Sequence, residues 1–114
     1  MIERKGRVEE EVRKAVANYI EQESNRDALI SVTRVILADK MNNGTIYISV
    51  LPESKEKAVI FFLTRNGSAV KQFLRKKIPY LRSMFLEFVI DEGEKNRLRL
   101  DELSREIKDS DTSS

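Results

Sequence analysis

With 114 residues, the chain has the length of one domain, which is enough to bury a hydrophobic core without a disulfide or a metal. It contains no cysteine and no histidine, which excludes thiol chemistry and removes the commonest general base and metal ligand. The missing cysteines and the absence of an apolar leader behind Met1 are typical of a cytoplasmic protein without a signal peptide. The longest apolar run, Ala58–Leu63, is too short to cross a bilayer.

Residues 2–22 are predicted to form an amphipathic helix. One face is densely charged, and the other carries apolar residues at spacings of three and four. The apolar face consists of Val8, Val12, Ala15, Val16, Tyr19 and Ile20. We expect this face to contact the core. The basic cluster of Arg4, Lys5 and Arg7 near the start of the helix is either solvated surface or an RNA contact.

Two strands follow the polar link 23–27. Leu29–Leu37 is rich in β-branched residues, but its apolar positions change phase halfway, which indicates a β-bulge near Thr33-Arg34. Asn42-Asn43-Gly44 is a strong turn signal, and Thr45–Leu51 alternates apolar with polar residues. The two strands are therefore predicted to pair as an antiparallel hairpin.

The pattern of the next segment is ambiguous. Ser54 is a candidate N-cap for a helix that runs to about Arg65. The apolar run Ala58–Leu63 suits a buried strand equally well, and β propensity favours the strand. The phenylalanines from this run to residue 85 are expected to lie in the core, namely Phe61, Phe62, Phe73 and Phe85.

The stretch Arg65–Arg82 has an unusual charge pattern. A turn at Asn66-Gly67-Ser68 precedes an amphipathic helix that ends before Pro79, because proline has no N–H to donate. The apolar face of this helix comprises Val70, Phe73, Leu74, Ile78 and Leu81, and its polar side comprises Lys71, Gln72, Arg75, Lys76 and Lys77. Residues 57–86 hold seven basic residues and no acidic one, whereas the remainder holds 14 basic and 19 acidic residues.

The last part of the chain is predicted to contain a third strand, Met84–Asp91, and a turn at Asp91-Glu92-Gly93. Leu100, Leu103 and Ile107 suggest a short C-terminal helix, and residues 108–114 are polar and expected to be disordered. The order is helix, strand, strand, helix or strand, helix, strand. It predicts an α+β fold in which helices cover one face of a three-stranded sheet, formed by one domain over residues 1–107 and present as a monomer.

This order, together with several short segments, resembles the ribosome-binding factor A family of bacteria. The similar segments are Arg4 with Arg7-Val8, Val32–Val35, Thr45–Ser49, Lys71–Leu74, Pro79–Leu81, Leu86–Phe88 with Asp91, and Arg97–Leu103. No single segment is specific, but their order over residues 4–103 is. The chain departs from the family by extra residues between Leu81 and Phe88.

The resemblance implies a type II KH-like fold with the order α-β-β-α-α-β, in which the ambiguous run is a helix. It also implies a non-enzymatic factor, without a cofactor, that binds the small ribosomal subunit and its rRNA and assists late maturation of that rRNA. Where RNA-binding KH domains clamp a single strand with Gly-x-x-Gly, the family has Ala-x-Gly at a helix-kink-helix. Asn66-Gly67-Ser68 replaces both of those residues, and we expect the kink to persist because Asn and Gly tolerate unusual backbone dihedrals.

Several functions stay open on the residues alone. The basic block is either a solvated helix face or a surface that neutralises RNA phosphates, and the resemblance favours RNA. A nuclease would need metal-binding carboxylates or a Lys/Tyr pair, but Asp39, Asp91 and Glu92 have no ligand spacing. A generic single-strand-binding KH protein and a protein-interaction module are the remaining alternatives.

The candidate RNA-binding residues come from the basic block, the kink and the start of the first helix. They are Arg4, Lys5, Arg7, Arg65, Asn66, Gly67, Ser68, Lys71, Arg75, Lys76, Lys77 and Arg82. Tyr80, which lies beside the basic cluster, is a further candidate for stacking on a base. No catalytic residue and no metal ligand is assigned.

Overall fold

Helices cover one face of a three-stranded sheet in the computed structural model, which describes residues 2–24, 27–81, 84–97 and 100. The elements in chain order are α1 (Ile2–Glu23), β1 (Leu29–Leu37), β2 (Asn43–Leu51), a 3-10 turn (Glu53–Lys55), α2 (Glu56–Arg65), α3 (Gly67–Lys77) and β3 (Phe85–Ile90). Residues 92–97 are also helical. The predicted order is therefore confirmed, and the ambiguous run Ala58–Leu63 lies in a helix.

The sheet has the strand order β1-β2-β3. β1 and β2 pair antiparallel, and the register shifts between Val32 and Arg34, which confirms the predicted bulge. β2 and β3 pair in parallel, with Ile46 opposite Phe88. Parallel neighbours need a long crossover connection, and α2 and α3 provide it. The helix-kink-helix is thereby placed against the sheet.

The core lies between the sheet and the helices. Burial alternates strictly along β2, where Ile46 and Ile48 are fully buried, because successive side chains of a strand point to opposite faces. The predicted stripe of α1 is buried throughout, and Val12 and Val16 are fully inaccessible. α3 adds Val70 and Leu74 to the same core, and the following Ile78 and Leu81 are buried as well.

The start of α2 differs from the prediction. Ser54 does not cap the helix: it lies within the 3-10 turn, and the residue that precedes α2 is Lys55, without a side-chain cap hydrogen bond. The reason is local, since the Lys55 N–H donates to the Pro52 carbonyl at 3.0 Å and the tight turn leads directly into the helix. The Lys95 ammonium contacts the Glu56 carboxylate at 3.1 Å and fastens this end to residues 92–97.

Asp91 begins a helix, whereas the sequence predicted a turn at Asp91-Glu92-Gly93. Its Oδ1 accepts the Glu94 N–H at 3.0 Å and its carbonyl accepts the Lys95 N–H at 3.0 Å, which is the geometry of a helix N-cap. The prediction failed because Asp and Gly are frequent in turns as well as at helix starts.

Some sequence-based expectations fall outside the described residues. These are the roles of Arg82, Leu103 and Ile107 and the state of residues 108–114. Within the described part of the chain, no helix is long and apolar enough to cross a membrane.

Candidate nucleic-acid interface

α3 presents a basic surface because of its helical period. Val70 and Leu74 are buried at the i and i+4 positions, so Gln72, Arg75 and Lys76 on the opposite side of the helix point away from the core. Arg75, Lys76 and Lys77 form the last turn and are exposed. Cations at the end of a helix also interact favourably with its dipole, by about 0.3–1 kcal/mol each. This interaction with the helix dipole leaves the positive charges of the exposed side chains available to bind a phosphate.

The described cations of the block 57–86 are not neutralised by carboxylates of the described residues. Within the described residues, no ion pair involves Lys57, Arg65, Lys71, Arg75, Lys76 or Lys77. Two of them lie over aromatic rings, with the Lys71 ammonium 5.9 Å from the ring centroid of Phe85 and the Lys77 ammonium 5.5 Å from that of Phe73. Arg75 and Lys76 are exposed and lie over no aromatic ring of the described residues.

Outside this block, several cations of the described residues are paired. Arg13 binds Glu10, Arg34 lies 3.6 Å from the Asp91 carboxylate, and Lys95 contacts two glutamates. The contrast matters because a paired cation must give up its partner before it can bind a phosphate. The unpaired cations of α2 and α3 can bind phosphate without that loss.

The start of α1 lies beside the end of α3. Tyr19 of α1 contacts Phe73 of α3 edge to face, with ring centroids 5.6 Å apart, and nearer the start of α1 the Tyr80 hydroxyl donates a hydrogen bond to Glu11. The chain that leaves α3 therefore passes beside the first half of α1. The arrangement brings the N-terminal cations of α1 towards the basic last turn of α3.

The pKa of Tyr80 depends on the charged groups around its hydroxyl. Its hydrogen bond to the Glu11 carboxylate raises the pKa of Tyr80 above its ordinary value, and the positive charges of Arg4 and Arg7 act in the opposite direction. Both guanidinium groups therefore lie near the phenol, and both residues are exposed. Lys5 differs, because its ammonium contacts Asp39 at 3.1 Å. Tyr80 is exposed, but its hydroxyl is already engaged.

The kink between α2 and α3 is built on Asn66. Its side-chain amide donates to the Phe62 carbonyl at 2.8 Å, its N–H donates to the same carbonyl at 3.0 Å, and its own carbonyl accepts from Val70. Asn66 has φ −97° and ψ 21°, in the sparsely populated bridge region outside the helical one, whereas Gly67 has no positive φ. One residue thus ends the first helix and begins the second. The side-chain amide of Asn66 is therefore engaged in a hydrogen bond within the kink.

Two of the four phenylalanines expected in the core are exposed. Phe61 and Phe85 have exposed fractions of 66% and 68%. Phe62 and Phe73 are half-buried against the core, in partial agreement with the expectation. In a helix, Phe61 lies about 200° around the axis from the buried Val59, which follows from 3.6 residues per turn. The helical period would have revealed this exposure once the run was assigned to a helix.

The other predicted residues are distributed around the kink. Arg65 and Ser68 are exposed on either side of it, and Gly67 is half-buried. Arg82 lies outside the described residues. Among the described residues, no group of three carboxylates is placed to hold a metal ion.

An α-β-β-α-α-β chain whose helix-kink-helix packs on a three-stranded sheet is a type II KH-like domain, and here the helix after the kink is basic. The model of the family described as "Ribosome-binding factor A" matches residues 4–104. The chain belongs to the ribosome-binding factor A family.

Curated relatives and solved structures agree with this assignment. The ribosome-binding factor A of Clostridium acetobutylicum is 30% identical over 115 residues, covering 95% of this chain and 93% of the relative. That of Clostridium botulinum (strain Eklund 17B / Type B) is 26% identical over 111 residues, covering 93% and 96%.

Structures of Thermus thermophilus ribosome-binding factor A share the fold. The crystal structure of that protein has a TM-score of 0.69 and 22% identity, covering 75% of this chain and 94% of that one. A Thermus thermophilus homology model fitted into a cryo-EM map of a 30S–RbfA complex has a TM-score of 0.68 and 21% identity, covering 78% and 97%.

Proposed function

We propose that this protein binds the small ribosomal subunit through its rRNA and assists late maturation of that rRNA without catalysing a reaction. The observation that carries the proposal is the set of exposed cations on α2 and α3 that have no carboxylate partner within the described residues. Family membership and the 30S complex of the Thermus thermophilus protein support the small subunit as the partner.

Electrostatics supplies the affinity in this proposal. Each lysine or arginine that reaches a phosphate releases condensed counterions, which favours binding without regard to sequence. Arg75 and Lys76 are the primary contacts because they are exposed and unpaired at the end of a rigid helix. Arg4 and Arg7 extend the same surface across the α1–α3 contact.

The orientation of the bound protein depends on how the cations are held. Lys71 and Lys77 each lie over a phenylalanine ring, so their ammonium groups are less free to move than those of Arg75 and Lys76. Fixed charges on one rigid surface favour folded rRNA of matching shape over a flexible strand.

The test is charge reversal at Arg75→Glu and Lys76→Glu together. Lys77 is left in place because its ammonium contacts the Phe73 ring. We expect co-sedimentation with purified small subunits at moderate salt to weaken by about tenfold or more, since two phosphate contacts become repulsions. The far-ultraviolet circular dichroism spectrum should not change, because both side chains are exposed.

A matched control is the pair Lys14→Glu and Lys55→Glu. Both side chains are exposed, and the change in net charge is the same, but neither residue lies on α2 or α3. This variant should sediment with small subunits nearly as the unmodified protein does. If both variants lose binding equally, net charge explains the effect and the proposed surface is wrong. If neither loses binding, the basic face of α3 is solvated surface.

A further inference from the structure

Phe61 occupies an unusual place for an apolar residue. Its side chain is 66% exposed in the middle of α2, although the opposite side of the same helix supplies the buried Val59 and Leu63. Single exposed apolar residues are common on protein surfaces and carry no meaning by themselves. What distinguishes Phe61 is the identity of its neighbours on the helix.

Lys57 and Arg65 lie four residues before and four residues after Phe61. This spacing places the Cβ atom of each of them about 6 Å from that of Phe61 on one helix face, and all three residues are exposed. Within the described residues neither cation forms an ion pair, and residues 57–86 contain no carboxylate. The nearest preceding acid, Glu56, is held by Lys95 at 3.1 Å. The face is therefore a bare aromatic ring between two free positive charges.

We propose that Phe61 is a stacking platform for an unpaired base of rRNA, with Lys57 and Arg65 binding the phosphates on either side of that base. The proposal rests on the proposed function and names a second contact surface, on α2, beyond the basic turn of α3. An aromatic ring between cations suits a nucleotide because the ring covers the base while the charges meet the backbone. A hydrophobic protein partner would gain nothing from two flanking cations that lack acidic neighbours.

Phe61→Ala tests the platform directly. We expect affinity for naked small-subunit rRNA and for purified small subunits to fall by roughly 5- to 150-fold, as is usual for loss of one base–aromatic stack. Leu29→Ala is the matched control, because Leu29 is also 66% exposed but is the first residue of β1 and not part of the basic face of α2. That control should leave both affinities unchanged.

Three replacements at the same position separate stacking from simple apolar contact. Phe61→Tyr and Phe61→Trp keep a π face and should keep binding, whereas Phe61→Leu keeps apolar area and should lose most of it. Because the chain contains no tryptophan, Phe61→Trp also introduces a single indole fluorophore. Its emission should be quenched when rRNA binds, since a stacked base quenches indole fluorescence.

The outcomes distinguish this inference from the function on which it rests. If the unmodified protein binds small subunits and Phe61→Ala binds equally well, the platform is wrong and the proposed function stands. If Phe61→Ala weakens binding to whole subunits but not to naked rRNA, the face docks on protein and the inference is overturned. If Phe61→Leu binds normally, the contact is simply apolar and the stacking platform is wrong. If the unmodified protein does not bind small subunits, both proposals fall together.

Discussion

Asp91 shows how one residue can connect distant parts of this chain. Its carboxylate accepts a hydrogen bond from the Thr33 hydroxyl at 2.6 Å, across 58 positions of sequence, and also caps residues 92–97. Arg34, which stacks on Tyr47 at 4.0 Å, adds a positive charge 3.6 Å away. The bulge in β1 presents these partners, because it places Thr33 and Arg34 opposite a single residue of β2. Sequence pattern could not reveal this role, since Asp91 meets its partners only after the sheet forms.

These contacts predict a pH dependence. The Thr33 hydrogen bond is the largest cause that lowers the pKa of Asp91 in the folded protein, with backbone N–H groups and Arg34 acting in the same direction. A lowered folded-state pKa stabilises the protein above the ordinary pKa near 4, and this stability is lost as pH falls through the folded value. We expect Asp91→Asn to lower the free energy of unfolding at pH 7 by about 1–3 kcal/mol and to flatten its decline in acid.

Urea denaturation at a series of pH values between neutral and strongly acidic measures this effect. Asp39→Asn is the control, because Asp39 is fully exposed in its ion pair with Lys5 and should change the free energy of unfolding little. An Asp91→Asn variant that retains the acid sensitivity of the unmodified protein would assign that sensitivity to other carboxylates.

At the scale of elements, the kink and the hairpin use their glycines differently. A Cβ at Gly67 would meet nothing within 4 Å, and its φ is not positive. A Cβ at Gly44 would lie 2.8 Å from Cδ2 of Leu37, a fully buried side chain. Gly67 is therefore replaceable, whereas Gly44 lets β1 and β2 approach at the core.

This difference predicts opposite effects for two alanine substitutions. Gly67→Ala should raise the free energy of unfolding by up to about 1 kcal/mol, because alanine favours a helical position. Gly44→Ala should lower it by about 1–3 kcal/mol, because Leu37 must move in a packed core. Thermal unfolding of the two variants beside the unmodified protein checks both signs. A destabilised Gly67→Ala would mean that the kink needs glycine after all.

The sequence best predicts the elements whose buried face has regularly spaced apolar residues. The apolar stripe of α1 indicates a helix, and the alternation of Ile46, Ile48 and Val50 indicates a strand. Both patterns are clear because one side of each element is buried and the other is solvated. The run Ala58–Leu63 is different, because a short apolar run is compatible with the period of a helix and with that of a strand. Only the resemblance to a family favours the helix. The exposure of Phe61 can be predicted only once the run is assigned to a helix.

The candidate site is less predictable than the fold for a physical reason. Charge counts along the chain marked the basic block, but whether a cation is paired depends on acids brought near by folding. The sequence places Lys5 in one cluster with Arg4 and Arg7, but in the structure its ammonium is bound by Asp39. The sequence predicts an RNA contact for Asn66, but its side-chain amide is hydrogen-bonded within the kink. Both assignments depend on contacts that composition cannot show.

At the scale of the whole molecule, the surface suggests which form of RNA it binds. The helix-kink-helix contains one glycine, Gly67, and no left-handed residue, so its backbone is not built as the glycine-rich clamp that holds a single strand. The cations instead spread over α2, α3 and the start of α1. Many weak phosphate contacts on a rigid surface favour folded rRNA.

We therefore expect weak, sequence-indifferent binding to short single-stranded oligonucleotides and much tighter binding to immature small subunits at the same ionic strength. The subunit affinity should fall steeply with salt, because each phosphate contact adds to the slope of log K against log salt. Arg75→Glu with Lys76→Glu should reduce that slope by about two contacts. Titrations of both ligands across a salt series measure these quantities. Tight and sequence-selective binding to a four-base strand would instead place this protein with KH domains that clamp single strands.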